Sequence, residues 1–246
     1  MISAALSLFS DLMVKFDNKL SIMKRIVYGS PALWNTLLLF SVIFAVFVLP
    51  VLPAVWHRTL FRAVYTFVYF SAILSLEKRY NYILILFFST LLIEWISGIL
   101  DFSLLRSLSK FVNIIFFLVI VGSLISQIAK AKKVSTGVIL GSIAGYLLLG
   151  LIFSIFIMFI IQKDPSAFST PQNQAFETEE GNSASVPLYF SFVTLATLGY
   201  GDILPLKAYT RSLSTLIAVT GQFYIAVIVA LLVGKFSAQQ TTFSDE

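Results

Sequence analysis

Long apolar runs separated by short polar breaks make up most of the chain after residue 33. A hydrocarbon core is crossed by about 20 apolar residues in a helix, so runs of this length predict membrane spans. Six runs are long enough, at residues 34–56, 59–76, 80–100, 111–128, 136–161 and 208–234. The pattern therefore predicts an all-α membrane protein with six transmembrane helices.

A seventh apolar segment, residues 186–196, lies between the fifth and sixth runs and is too short to cross a bilayer. A polar, glycine-containing stretch follows it directly. Non-helical backbone at membrane depth is tolerated only where protein buries it or where it lines a water-filled cavity. We therefore expect a re-entrant helix that enters the membrane, ends, and returns through a loop facing a pore or cavity.

The first 30 residues differ from the rest, because their apolar residues alternate four and three positions apart, from Ile2 and Leu6 to Met23 and Val27. This spacing puts them on one stripe of a helix. It predicts an amphipathic helix at the membrane interface, or a short coiled coil between subunits. The predicted organisation is this segment (1–30), a four-helix transmembrane domain (31–133) and a pore domain (134–246).

Composition agrees with a bilayer protein, since 58% of the residues are hydrophobic and 12% are charged, against roughly 45–50% and 25% in soluble domains. The sequence has no cysteine, which excludes disulfides and thiol chemistry. The net charge of +5 would be compatible with nucleic acid. Most basic residues instead flank apolar runs, so membrane topology explains them better and no nucleic-acid partner is expected.

The basic residues also predict an orientation. With the N-terminus inside, the inner face receives ten basic residues: Lys15, Lys19, Lys24, Arg25, Lys78, Arg79, Lys130, Lys132, Lys133 and Lys235. The same orientation puts the acidic stretch 162–187 outside, which agrees with the positive-inside rule. We therefore expect a multi-pass protein of the plasma membrane with both termini in the cytoplasm.

The loop after the short segment reads TLATLGYGD, residues 194–202. Gly199 and Gly201 lack a Cβ and can adopt backbone conformations closed to other residues. This freedom lets consecutive carbonyl oxygens point to one side of the loop. One such strand cannot surround an ion alone, so a cation site here requires several copies of the chain.

These residues resemble the signature of the potassium-channel pore family, and the order of short helix, filter and final span over residues 135–236 is similar to its pore module. The matching residues are Thr194, Thr197, Leu198, Gly199, Tyr200, Gly201 and Asp202. The resemblance implies a homotetramer with no cofactor other than permeant K⁺. It implies K⁺ sites at the carbonyls of Thr197, Leu198, Gly199 and Tyr200, with the Thr197 hydroxyl, and a Tyr200 ring that braces the filter.

Two positions depart from the family pattern. Leu198 replaces the usual valine, which we expect to be harmless because the backbone carbonyl binds the ion. Many members carry an acidic residue four positions before the filter threonine, where it can pair with the aspartate after the filter. Val193 occupies that position, so Asp202 needs another donor, for which Tyr189 is the candidate.

Several glycines of the pore segment have two interpretations. Gly221 lies twenty residues after Gly201, where the family resemblance implies a gating hinge; a close contact between helices is the alternative. Thr220 and Gln222 are expected to face the water-filled cavity. Gly137, Gly141 and Gly145 predict a smooth face for close helix packing.

The front four helices lack the pattern of a voltage sensor. Such a sensor needs several charged residues on one helix, and no charged residue occurs between 111 and 128. Glu94 is the single acidic residue inside a front-half run. It is either a functional carboxylate or one member of an ion pair near the outer interface, with Arg58, Arg62, Arg106 or Lys110 as its partner. His57 reads as an interfacial residue, with pH sensing as the alternative.

The sequence thus predicts a potassium-selective channel that conducts K⁺ passively and is not an enzyme. Two other classes remain: a K⁺-uptake or transporter subunit, and a non-conducting membrane sensor or scaffold. Uptake proteins of this kind carry several pore loops per chain, whereas this sequence has one. A scaffold has no need of an intact filter sequence.

Overall fold

The structure is a computed structural model that describes residues 31–52, 54–76, 81–100, 103–131, 133–169 and 185–244. Seven α-helices occur in this part of the chain: α1 Pro31–Ile43, α2 Ala54–Ser75, α3 Asn81–Leu100, α4 Ser103–Lys130, α5 Thr136–Lys163, α6 Ser185–Leu195 and α7 Ala208–Ser244. Two short strands, β1 Phe168–Ser169 and β2 Leu204–Pro205, form an antiparallel pair. The amphipathic segment predicted at 1–30 lies outside the described residues.

Four of these helices are long and apolar enough to cross a membrane, at Ala32–Val51, Ser107–Lys130, Thr136–Lys163 and Ala208–Gln239. Helices α2 and α3 have 22 and 20 residues. Their shorter apolar parts are Ala63–Ser75 and Ile83–Ser97. An all-α membrane protein with four candidate spans is therefore confirmed, while the two further spans stay a prediction.

The first predicted span, 34–56, was wrong at its end. Helix α1 continues through a π-helical turn (Phe44–Val48) and a 3₁₀ turn (Leu49–Val51) and stops there. Leu52 is extended, with φ −72° and ψ 153°, because the residue before a proline is driven out of the helical region. Residues 54–56 consequently belong to α2.

Other helix ends also differ from the apolar runs. Helix α4 begins at Ser103, eight residues before the predicted run, so positions 106 and 110 lie within it. Helix α7 continues ten residues beyond Gly234 to Ser244. Apolar runs mark the part of a helix that lipid or protein covers, whereas hydrogen bonding and capping fix where the helix ends.

Helix α5 is the centre of the packing and contacts α1, α4, α6 and α7. It is the most buried of the four candidate spans. The Asn35 amide of α1 donates to the Gly137 carbonyl of α5 at 2.7 Å. The front helices therefore pack directly on the pore segment of their own chain.

The glycines of α5 allow this close packing, as the sequence predicted, but they face different helices. A Cβ on Gly141 would lie 3.0 Å from the Asn35 amide nitrogen of α1. One on Gly145 would lie 2.3 Å from the Tyr224 hydroxyl of α7, which donates to the Ser142 carbonyl. One on Gly150 would lie 2.2 Å from the ring of Phe192 on α6.

A buried polar network joins α2, α3 and α4. The Tyr69 hydroxyl donates to Asn113 Oδ1 at 2.7 Å, and the Asn113 amide donates to Glu94 Oε2 at 3.0 Å. The Ser109 hydroxyl also donates to Glu94 Oε2. Hydrogen bonds from α4 thus hold the Glu94 carboxylate.

Three of the four basic side chains proposed as partners of Glu94 lie outside the described residues. The side chains of Arg58, Arg62 and Arg106 lie outside the described residues, as does that of His57. The Lys110 ammonium donates to the Gln162 amide oxygen on α5. The ion pair and the pH-sensing role therefore stay predictions.

Candidate functional site

Helix α6 is held against α5 by contacts along its last two turns. The buried Ser191 hydroxyl donates to the Gly150 carbonyl of α5 at 2.7 Å, and the Phe192 ring lies over the same glycine. At the end of α6, the Leu195 carbonyl accepts from the Tyr146 hydroxyl at 3.3 Å. These contacts fix the position at which the chain leaves the helix and enters the loop.

The start of the loop is hydrogen-bonded back onto the last turn of α6. The Thr197 amide donates to the Thr194 carbonyl at 3.0 Å, and the Leu198 amide donates to the Val193 carbonyl at 2.9 Å. The loop therefore starts at the carbonyl end of a helix, where the helix dipole is negative and favours a cation.

The sign of φ alternates along the loop. Thr197 has φ 56°, Gly199 has φ 56° and Gly201 has φ 78°, whereas Leu198 and Tyr200 have negative φ. Positive φ at the two glycines is the conformational freedom for which the sequence singled them out, because glycine adopts it without strain. The gathering of carbonyl oxygens on one side of the loop stays a prediction.

Thr197 also has a positive φ, which its residue type did not predict. A β-branched residue with positive φ is an outlier, and such a conformation costs on the order of 1–3 kcal/mol. The Gln222 amide of α7 donates to the Thr197 hydroxyl at 3.3 Å. Gln222, which the sequence put in the cavity, therefore contacts the base of the loop.

At the other end of the loop, Asp202 has the partner that the sequence suggested. The Tyr189 hydroxyl donates to Asp202 Oδ2 at 2.6 Å, and the Ile203 amide donates to Oδ1 at 3.1 Å. The rings of Tyr189 and Tyr200 stack 6.5 Å apart with an interplanar angle of 6°. One tyrosine of α6 thus contacts both the aspartate and the loop tyrosine.

The segments that flank the loop are joined by a cluster that the sequence analysis missed. Asp164, at the end of α5, accepts from the Ser166 hydroxyl and from the Tyr209 hydroxyl of α7, each at 2.6 Å. These hydrogen bonds, with nearby Lys207, lower the pKa of Asp164 below its usual value. The carboxylate is therefore ionised at neutral pH. The residues Asp164-Pro165-Ser166 could be recognised as a turn from the sequence. The hydrogen bond of Asp164 with Tyr209, 45 residues away, could not be predicted.

Gly221 on α7 has the close contact that was one of its two interpretations. A Cβ there would lie 2.2 Å from the Leu195 carbonyl oxygen at the end of α6. Helix α7 runs without interruption from Ala208 to Ser244 through this position. The close contact is observed, and the gating hinge stays a prediction.

Near the other end of α7, Lys235 forms a link that sequence reasoning also missed. Its ammonium donates to the carbonyls of Ile128 at 2.6 Å and Ala129 at 2.8 Å, and to that of Ala131. These carbonyls belong to the end of α4, where a helix lacks internal donors and its dipole is negative. Lys235 thus caps α4 and ties it to α7.

The loop is open on one side in the single chain. Residues 196–201 are all exposed, with Leu198 56% and Tyr200 66% exposed. Helix α7 is the least buried of the four candidate spans. In the described part of the chain no three His, Cys, Asp or Glu side chains are grouped to hold a metal.

Comparison with known proteins gives one match. Residues 143–238 match the family model described as Ion channel. The comparisons with curated proteins and with solved structures each found no significant match. The matched segment begins in α5, ends in α7 and includes α6 and the loop. Together with the four apolar helices, the match supports a multi-pass membrane protein in which this segment is similar to an ion-channel domain.

Proposed function

We propose that this protein is a potassium-selective channel that conducts K⁺ passively through a pore formed by four copies of the chain. The observation that supports the proposal is the alternating sign of φ at residues 197–201, the backbone pattern with which carbonyl oxygens can gather on one side of a loop. Fixed carbonyl oxygens can replace the hydration shell of K⁺ without any cofactor.

In this proposal the carbonyls of Thr197, Leu198, Gly199 and Tyr200, with the Thr197 hydroxyl, form the ion sites. Gly201 completes the turn out of the filter with its positive φ. Leu198 is compatible with selectivity because its carbonyl, not its side chain, binds the ion. The pairing of Tyr189 with Asp202 supports the outer end of the filter, where the family has an acidic residue in place of Val193.

The exposure of the loop supports an assembly of several copies, and the family resemblance implies four. A strand with oxygens on one side covers only one side of an ion, and exposed backbone at membrane depth is not tolerated against lipid. Four copies would cover each other's loops and the exposed face of α7.

The proposed setting is the plasma membrane, with both termini in the cytoplasm and the stretch 162–187 outside. This orientation puts Lys130, Lys133 and Lys235 on the inner side, as the positive-inside rule favours. In this orientation helix α6 enters the membrane from the outside, and its carbonyl end points toward the water-filled cavity of the proposed pore.

Planar-bilayer recording of purified protein tests this function against the transporter and scaffold alternatives. A channel gives unitary currents that reverse near the K⁺ equilibrium potential and are blocked by barium. Absence of current, or flux that saturates at transporter rates, would contradict the proposal. The mass of the purified assembly should correspond to four chains, and a monomer or dimer as the conducting species would contradict the tetramer.

A further inference from the structure

The Gln222 side chain links α7 to the start of the loop. Its amide nitrogen donates to the Thr197 hydroxyl oxygen at 3.3 Å, and the two residues are 25 positions apart in the sequence. Gln222 is exposed in the single chain, so packing in the apolar core does not account for its position. The ion sites proposed above include Thr197 but give Gln222 no role.

A close approach between two backbones fixes the place from which the Gln222 side chain starts. A Cβ on the preceding residue, Gly221, would lie 2.2 Å from the Leu195 carbonyl oxygen, so α7 comes this near to the end of α6 because position 221 is glycine. Leu195 is fully buried, and its carbonyl also accepts from the Tyr146 hydroxyl of α5 at 3.3 Å. The donor is therefore offered to the loop from a well-packed part of the backbone.

Thr197 needs a restraint of this kind, because its backbone is strained. Its φ of 56° lies in the left-handed region, which a β-branched residue rarely adopts. A strained conformation persists only where the surrounding contacts hold it. The Thr197 amide donates to the Thr194 carbonyl at 3.0 Å, which holds the backbone, and the Gln222 amide holds the side chain.

The hydrogen bond from Gln222 leaves the Thr197 hydroxyl able to bind a cation. A hydroxyl oxygen has two lone pairs, of which the amide occupies one. Without the amide, the hydroxyl is free to change rotamer, and relaxation of φ would turn the Thr197 carbonyl. Loss of this one hydrogen bond therefore acts on both oxygens that Thr197 contributes to the proposed ion sites.

We propose that Gln222 is a positioning residue for the cation site at the Thr197 end of the loop, where it holds the Thr197 hydroxyl and carbonyl in the orientation that binds K⁺. This role rests on the proposed function, because it concerns one of the filter sites. Gln222 acts through Thr197 and does not itself bind the ion. A residue outside the filter sequence thus sets the K⁺ affinity of the filter.

The K⁺ dependence of the thermal midpoint measures this affinity without any current. The purified assembly in detergent is heated at increasing K⁺ concentrations, with N-methyl-D-glucamine replacing K⁺ at constant ionic strength. A ligand that binds the folded assembly raises its midpoint according to the dissociation constant. Gln222→Leu removes the donor and should raise the K⁺ dissociation constant about fivefold, the usual effect of one neutral hydrogen bond. Gln222→Met is the second variant if the leucine variant does not assemble.

The midpoint without K⁺ separates positioning from simple stabilisation. If Gln222 only stabilised the fold, its replacement would lower the midpoint equally at every K⁺ concentration. We expect instead a K⁺-free midpoint close to that of the unmodified protein, because relaxation of Thr197 offsets the lost hydrogen bond, together with a weaker response to K⁺. Gln127→Leu, the same substitution on α4, is the matched control and should leave both quantities unchanged.

A double-mutant cycle tests whether the effect passes through Thr197. Thr197→Val keeps the shape of the side chain but removes the hydroxyl, so adding Gln222→Leu to it should change the dissociation constant by less than about twofold. Thr197→Ala is a second background if the valine variant does not assemble. Thr197→Ser keeps the hydroxyl, and Gln222→Leu should retain its full effect there.

The outcomes distinguish this role from the channel function itself. A dissociation constant that is unchanged in both Gln222 variants, or an equal effect of Gln222→Leu with and without the Thr197 hydroxyl, would overturn the positioning role and leave the channel function in place. An unmodified protein whose midpoint does not respond to K⁺ would contradict the proposed function, and the positioning role with it.

Discussion

Thr197, Gly199 and Gly201 have positive φ in a loop of otherwise ordinary backbone. The two glycines could be predicted to do this, because they are the residues for which the conformation is not strained. The strained threonine could not, since its conformation depends on hydrogen bonds to α6 and α7. The pairing of Tyr189 with Asp202 could be predicted because Val193 stands where the family has an acidic residue. Asp202 therefore lacked its usual partner and needed another donor.

The conformation of Gly199 gives the first prediction. Alanine at this position would be strained at φ 56° although the space around it is open. Gly199→Ala should therefore rotate the carbonyls and lower the K⁺ over Na⁺ permeability ratio at least about tenfold, a change of about 1.4 kcal/mol. Gly122→Ala, in the middle of α4 with nothing within 4 Å of its Cβ, is the control. Full selectivity in Gly199→Ala would contradict the carbonyl account.

The hydrogen bond from Tyr189 to Asp202 gives the second prediction. Tyr189→Phe keeps the ring that stacks on Tyr200 but removes the donor. Because the bond is exposed, its loss should destabilise the conducting filter only modestly, by a factor of about five. The current should decay about fivefold faster during sustained opening.

A matched variant tests whether this effect belongs to the filter. Tyr209→Phe removes a tyrosine–aspartate hydrogen bond of the same 2.6 Å length, outside the filter, at Asp164. It should leave the decay rate near that of the unmodified protein. Equal decay in both variants and the parent would show that Tyr189 does not support the filter.

At the scale of elements, the apolar pattern predicted the helices far better than their ends and contacts. The short helix α6 was expected at 186–196 and is found at Ser185–Leu195. The end of α1 was missed because proline and local capping, rather than hydrophobicity, stop that helix. The contacts of Gly141, Gly145 and Gly150 with three different helices depend on tertiary packing, which a glycine spacing does not specify.

The contact of α7 with α6 at Gly221 gives the third prediction. A Cβ at Gly221 would overlap a backbone carbonyl, which cannot move aside as a side chain can. Gly221→Ala should therefore destabilise the folded assembly by about 1–3 kcal/mol, the usual effect of overpacking. The measurement is the thermal midpoint of the purified protein in detergent.

Gly234 supplies the comparison, because a Cβ there meets nothing within 4 Å. Gly234→Ala should leave the midpoint within experimental error. A Gly221→Ala protein of normal stability but reduced open probability would instead favour the hinge interpretation of Gly221.

At the scale of the whole molecule, the front helices and the pore segment are joined by hydrogen bonds near the end of α4 and the start of α5. Lys235 caps α4 from α7, and Asn35 joins α1 to α5. The sequence indicated which segments form the pore, but it could not show this pairing. Residues about one hundred positions apart meet only when the helices are packed.

The Lys235 cap gives the fourth prediction. Lys235→Met keeps a flexible side chain of similar length but removes the donors to three α4 carbonyls. Loss of a charged hydrogen bond of this kind should be worth about 1–2 kcal/mol, so the open-to-closed ratio should change about five- to thirtyfold. The open-to-closed ratio is measured as the single-channel open probability.

The exposed Lys130 at the end of α4 is the control for charge alone. Lys130→Met removes one positive charge on the same side without touching the cap, and it should leave open probability nearly unchanged. Identical gating in Lys235→Met and the unmodified protein would show that the link between α4 and α7 has no part in gating.

The central claim is that four filter loops select K⁺ through their carbonyls, and the reversal potential under bi-ionic conditions tests it most directly. Purified protein in a planar bilayer is recorded with K⁺ on one side and Na⁺ on the other. The account predicts unitary currents carried by K⁺, with a reversal potential displaced far toward the potential expected for a K⁺-selective membrane. A reversal potential near zero, with K⁺ and Na⁺ equally permeant, would contradict it.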